Sequence, residues 1–131
     1  MKIFKSEDYI QIQNPTPGET YRPKILTSGD GAKNLWGIFG LFPPHTQVPY
    51  HFHSERESLI IMISGEGTEV VEGKEIPIKA GDILYIPVGE KHTTINRSGK
   101  DLRFLEFQTP WSDVRDFIEV NGEEDGFKPT V

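Results

Sequence analysis

Thirteen glycines and ten prolines break this 131-residue chain into short segments, with a turn signal about every eight to twelve residues. That punctuation constrains the fold more than any other feature. Long helices have no room between such breaks, whereas strands of the usual five or six residues fit. The intervening runs are rich in β-branched and aromatic residues: KILTS (24–28), NLWGIFGLF (34–42), VPYHFH (48–53), SLIIMIS (58–64), GTEVVE (67–72), KEIPIK (74–79), DILYIP (82–87), HTTIN (92–96) and DLRFLEFQT (101–109). The pattern predicts an all-β domain. Gly73 in EGKE and Gly99 in NRSGKD stand where tight hairpins need a positive φ. One helical signal occurs, WSDVRDFI, in which Ser112 can cap a helical turn with Asp113 in its first turn. Residues 1–23 read as an irregular arm, 24–110 as the folded body, and 111–131 as a short C-terminal helical turn followed by an acidic tail.

Composition narrows the function classes. With 35% hydrophobic and 26% charged residues the chain is an ordinary globular protein of one-domain length. Its net charge of −6, with lysines and arginines scattered singly, lacks the basic footprint that nucleic-acid phosphates require. The longest apolar run, 59–63, is far short of the roughly 18–20 residues that span a bilayer. MKIFKSEDYI has no apolar signal-peptide core, so a cytoplasmic location is expected. The absence of cysteine removes disulfides, thiolate ligands and thiol nucleophiles, which leaves histidine and carboxylate as the strong metal ligands.

The chain has four histidines, and two of them, His51 and His53, stand one residue apart in YHFHSERE. Alternate residues of a strand share a face, so the two imidazoles point the same way and can converge on one ion. A third histidine, His92, follows a strand and a Pro-x-Gly turn in GDILYIPVGEKHTTIN. There Gly81, Pro87, Gly89, His92 and Asn96 fill all five fixed positions of the pattern G-x5-P-x-G-x2-H-x3-N. At ordinary residue frequencies chance produces that match in fewer than about one window in a million.

These residues resemble the second motif of the cupins, small double-stranded β-helix or jelly-roll barrels. The first cupin motif, G-x5-H-x-H-x3,4-E-x6-G, is met at His51, His53 and Gly65, with His45 in place of its opening glycine. Histidine enters left-handed turn geometry more readily than most residues, so His45 reads as a turn residue. The glutamate position is divided. Counting forward through three residues from His53 reaches Glu57, whereas counting back through six from Gly65 reaches Ser58. A one-residue slip turns a strand side chain to the opposite face. A regular strand would therefore turn Glu57 outward, and a bulge at its start would bring Glu57 inside. The alternative to Glu57 is a three-histidine site completed by water.

The resemblance implies one divalent metal held in the barrel mouth by His51, His53, Glu57 and His92. With all four ligands, manganese, iron or nickel suits the site better than zinc, and cobalt or zinc is possible. It implies a metal-dependent enzyme of dioxygenase, decarboxylase or isomerase type acting on a small oxygen-rich substrate. The alternative is a non-catalytic module that binds or senses a small molecule. It also implies a homodimer, while the charge and the short apolar runs give no expectation of a nucleic-acid or membrane partner. Gly81, Pro87, Gly89 and Asn96 read as structural. Tyr85, Thr94 and Glu106 can each reach the cavity, core or solvent, and no residue is assigned a catalytic role.

Overall fold

The computed structural model describes residues 1–112 and 114–126, and within them the chain is an all-β barrel of two antiparallel sheets. The strands are β1 (Lys24–Leu26), β2 (Trp36–Phe42), β3 (Thr46–Gln47), β4 (His51–Phe52), β5 (Glu57–Ser64), β6 (Glu66–Val71), β7 (Lys74–Lys79), β8 (Ile83–Ile86), β9 (His92–Asn96), β10 (Leu102–Thr109) and β11 (Ile118–Glu119). One sheet runs β1-β2-β10-β5-β8; the other runs β11-β4-β9-β6-β7, with β3 paired to β9. Each run singled out above forms a strand. VPYHFH is shortened to its His51–Phe52 step, because Pro49 cannot donate to a ladder.

The inward series of β10 shows how one barrel makes both a core and a site. Burial alternates along it, and the buried residues are Leu102, Phe104, Glu106 and Gln108 in that order. The Leu102 end packs with Phe42, Ile60, Met62, Ile78 and Ile86 in the main apolar cluster. Burying each such side chain contributes about 1.5–3 kcal/mol. The Glu106 end faces a cavity instead. A second cluster, Tyr50, Val70 and Ile95 with Val120 against it, lies where the C-terminal segment covers β4 and β9.

Local chemistry accounts for the turns. Glu72 and Gly73 both adopt positive φ, 47° and 80°, the geometry of a two-residue hairpin loop between β6 and β7. Gly65 has φ 86°, and a Cβ there would press on the Asp101 carbonyl. His45 sits at φ 61° as its turn position requires. Gly99 is not left-handed; that loop is closed by Asn96, whose Nδ2 donates to Phe42 O and Lys100 O, both at 2.7 Å, while its Oδ1 accepts from Ser98 N at 2.9 Å.

The N-terminal arm lies against its own barrel. Tyr21 and Leu41 exchange backbone hydrogen bonds of 2.9 and 2.8 Å, and Arg103 Nη1 donates to Ile10 O and Ile12 O. It contains a single helical turn, Ser6–Tyr9. At the other end, the helical turn expected at WSDVRDFI is displaced. Ser112 Oγ accepts from Val114 N in a turn, residues 114–117 are not helical, and Asp113 lies outside the described residues. The helical turn is instead the 3-10 segment Gly122–Asp125, capped by Asn121, whose side chain accepts from Glu123 N at 2.9 Å. Among the described residues no helix is long and apolar enough to cross a membrane.

Candidate metal centre

His51 opens β4 and His92 opens β9, and the two are direct register partners across the antiparallel pair. His53 follows two residues on and shares the face of His51. Ring centroids lie 4.4 Å apart for His51 and His92, 4.9 Å for His51 and His53, and 5.8 Å for His53 and His92. All three are buried, and one ring nitrogen from each falls within 4.8 Å of the others.

Each imidazole is also oriented from behind. His51 Nδ1 meets Pro49 O at 2.6 Å, His53 Nδ1 meets Asp116 O, and His92 Nδ1 meets Glu69 Oε2 at 2.7 Å. Carbonyl and carboxylate oxygens only accept, so Nδ1 of each ring carries the proton and Nε2 keeps its lone pair. His92 Nε2 is buried with no hydrogen-bond partner. Leaving a buried polar atom unsatisfied costs about 1–3 kcal/mol, and an ion bound to that lone pair removes the penalty. The donor set therefore fits a divalent metal.

Burial pushes the pKa of His51 down to about 2, with His92 adding to the effect. Burial likewise lowers that of His53, against the pull of the Asp116 carbonyl. Both rings are thus held neutral, the state in which imidazole ligates. His92 differs. Its burial lowers the pKa, but the hydrogen bond and charge of Glu69 outweigh it and leave the pKa raised.

Glu69 had no place in the sequence reading. It is 2% exposed, and its other oxygen accepts from Thr94 Oγ1 at 2.6 Å. Burial raises its pKa, against the hydrogen bonds from His92 and Thr94. A sequence signal existed in the lone acid of TEVV, within a strand paired on both sides, since a buried carboxylate needs partners. Thr94 is thereby committed to orienting Glu69.

Glu57 is not brought to the histidines. The ladder is regular where β5 begins, with Glu57 opposite Thr109, Ser58 opposite Gln108 and Leu59 opposite Phe107. No bulge lies there to turn Glu57 inward. The irregularity in β5 is at the far end, where Arg103 faces Ser64 but Phe104 faces Met62, leaving Ile63 as the extra residue. The inward position is thus the one counted back from Gly65, Ser58, which also stands at the longer of the two spacings the motif allows after His53. Glu57 is exposed and accepts from Tyr85 Oη at 3.3 Å, so Tyr85 is outside as well. Ser58 takes the inward position at 1% exposure, and its Oγ has no partner.

The histidines line a cavity of about 670 Å³. β2 contributes Trp36 and Ile38 to it, β10 contributes Phe104, Glu106 and Gln108, and Gln108 Nε2 donates to Glu106 Oε2 at 2.7 Å. Trp111, Ser112, Val114, Arg115 and Phe117 form its outer wall, in the segment whose patterning predicts a helical turn. Phe117 stacks on His51 with centroids 3.8 Å apart and planes 15° from parallel. Asp116 anchors this wall: its carboxylate accepts from Ser54 N, Ser54 Oγ and Glu55 N at 2.7–2.8 Å, while its carbonyl orients His53.

A family model described as the cupin domain matches residues 39–107. The oxalate-binding protein of Thermotoga maritima is 38% identical over 63 residues, which are 48% of this chain and 52% of that protein. The match thus spans about half the length of that relative. Among solved structures, the polyketide cyclase RemF from Streptomyces resistomycificus superposes with a TM-score of 0.75 at 26% identity, over 95% of this chain and 89% of that one. A predicted oxalate decarboxylase from Thermotoga maritima superposes with a TM-score of 0.65 at 28% identity, over 70% and 81%.

Proposed function

Because the chain belongs to the cupin family, we propose that its barrel is a metal-dependent catalytic site that acts on a small oxygen-rich molecule, with His51, His53 and His92 as the protein ligands. The observation that carries this reading is the convergence of three imidazoles, each with Nδ1 tied down, on a point where His92 Nε2 is buried without a partner. The outward placement of Glu57 changes the expected chemistry. Three imidazoles without a carboxylate ligand leave a divalent ion with no charge compensation from the atoms that bind it, only from Glu69 behind His92, and leave more of its coordination positions open. It also removes the argument against zinc, because three protein ligands plus one open position is the usual catalytic zinc arrangement. Manganese, iron, nickel, cobalt and zinc all suit three imidazoles, so cellular supply weighs as much as affinity.

A bound ion would supply Lewis acidity and a template for two substrate oxygens. The chain supplies the rest. Glu69 and the Pro49 and Asp116 carbonyls hold the ligands in one tautomer, Phe117 covers His51 against water, and Glu106 is the carboxyl group on the cavity wall able to exchange a proton with a ligand. Decarboxylation, oxidative cleavage and isomerisation all fit such a site. The relative named for binding oxalate favours a second reading, a carrier or sensor without turnover.

Elemental analysis of natively purified protein tests the proposal. Near-stoichiometric divalent metal, lost in His92→Ala, is the expected result. Failure of the wild type to take up manganese or zinc refutes it. Incubating the loaded protein with oxalate and with keto acids, while following oxygen uptake and carbon dioxide release, separates enzyme from binder.

A further inference from the structure

The chain is acidic, yet the mouth of its cavity is not. Arg22, Lys24, Arg56 and Arg115 all line it, against one lining carboxylate, Glu106. Among the described residues none of these four cations has a carboxylate within ion-pair distance. They rest on aromatic rings instead. Arg56 lies 4.8 Å and Lys24 5.8 Å from the centre of Trp36, while Arg115 lies 5.0 Å and Arg22 5.9 Å from the centre of Phe117.

Gathering four like charges around one concavity opposes folding unless something of opposite sign enters. Their position says where it enters. Phe117 is the ring stacked on His51, and Arg56 Nε approaches His53 Nδ1 at 3.3 Å, so the cations stand next to the three-histidine centre. Burial lowers the pKa of Arg56, Asp116 and Glu106 pull it back up, and Arg115 and Arg22 push it further down. The arginines thus share one field. The cavity also offers groups still lacking partners: the buried Trp36 Nε1 donor and the buried Gln108 Oε1 acceptor.

We infer that the cavity takes a small dianion, one end bound at the three-histidine centre and a distal carboxylate or phosphate received by Arg56, Arg115 and Arg22. This rests on reading His51, His53 and His92 as a metal centre, and it narrows the substrate class beyond that reading. At about 670 Å³ the cavity has the size of sites for molecules well above a two-carbon diacid. Guanidinium groups pair with either oxyanion through two parallel N–H donors, which orients the ligand as well as attracting it. Trp36 and Phe117, each already under two cations, form the walls between the two ends.

The test is calorimetric titration of manganese-loaded wild-type protein with succinate against butyrate, and with 3-phosphoglycerate against glycerate. The second anionic group is expected to tighten binding at least about tenfold, the scale of one charge-assisted hydrogen bond, and the better of the two pairs identifies carboxylate or phosphate. Arg56→Gln combined with Arg115→Gln, which leaves only Arg22 of the three guanidiniums, should weaken that preference while metal stoichiometry stays at the wild-type value. Arg56→Lys should keep part of it, and Lys100→Gln, outside the cavity, all of it. Equal affinity within both pairs overturns the inference, as does a preference that the double substitution leaves undiminished. The same titrations on chelator-treated protein keep the two readings apart. A protein that takes up no metal but still prefers the dianion refutes the metal centre and upholds the cation cluster, whereas a metal-loaded protein without the preference does the reverse.

Discussion

Replacing Glu69 is the most direct probe of how the centre is built. Its two oxygens serve two buried donors, His92 Nδ1 at 2.7 Å and Thr94 Oγ1 at 2.6 Å, in a pocket where His92 is 3% and Thr94 6% exposed. Glu69→Gln preserves shape. The amide oxygen can accept from His92, and the amide nitrogen can donate to a rotated Thr94 hydroxyl, so the fold loses little. What disappears is the negative charge behind the imidazole. A neutral acceptor gives roughly half the strength of a charged one. Losing such an outer partner commonly lowers metal affinity about 10–100-fold, which is about 1.4–2.8 kcal/mol. Glu69→Ala behaves differently. It strands both donors, at about 1–3 kcal/mol each, so the metal-free protein should lose about 2–6 kcal/mol of stability. The paired assay is urea denaturation of the metal-free proteins together with chelator competition for manganese or zinc. If Glu69→Gln binds metal as tightly as wild type while Glu69→Ala unfolds, Glu69 braces the barrel and does not tune the ligand, and the argument for an outer partner fails.

Other expectations follow from the same geometry. Glu57→Gln should change metal affinity by no more than about twofold, as for an ordinary surface substitution, and a loss beyond tenfold in chelator competition would place Glu57 at the metal after all. Asp116→Ala removes three hydrogen bonds to Ser54 and Glu55 and should free the wall segment 114–117, read as faster amide exchange there and weaker metal binding. Unchanged exchange would show that Phe117 alone secures the wall. Asp125 is held by Lys91 at 2.7 Å and Tyr50 at 2.8 Å, contacts that keep its carboxyl below the ordinary range. A folded pKa below the unfolded one stabilises at neutral pH and stops doing so as pH falls through the folded value. The gap in melting temperature between wild type and Asp125→Asn should therefore be full at pH 7 and shrink below about pH 4; a gap independent of pH would refute the ion-pair account.

The strand periods and turns were legible because they are local. Alternation in DLRFLEFQT follows from the two-residue repeat of a strand, and the Glu72–Gly73 loop from the positive φ that glycine tolerates. The three histidines were legible for the same reason, aided by a spacing that encodes a strand, a turn and a strand. Asp116 and the wall it anchors were not. WSDVRDFI carries a capping serine and first-turn acid, and those local preferences yielded to pairing of Ile118–Glu119 with β4. Nothing near Asp116 announces that its partners lie more than sixty residues earlier, at Ser54 and Glu55.

By itself the sequence determined an all-β barrel and a trio of imidazoles on one inner face, because side-chain alternation and turn chemistry act over a few residues. The tertiary structure decided what surrounds that trio. The regular ladder at Ser58 exists only through pairing with β10, and it turns Glu57 to solvent. Arg22, Lys24, Arg56 and Arg115 are scattered along the chain as single charges and become one cationic mouth only when the arm, the loop after β4 and the C-terminal wall meet there. Register and long-range closure are cross-strand properties, and no spacing along a single strand encodes them.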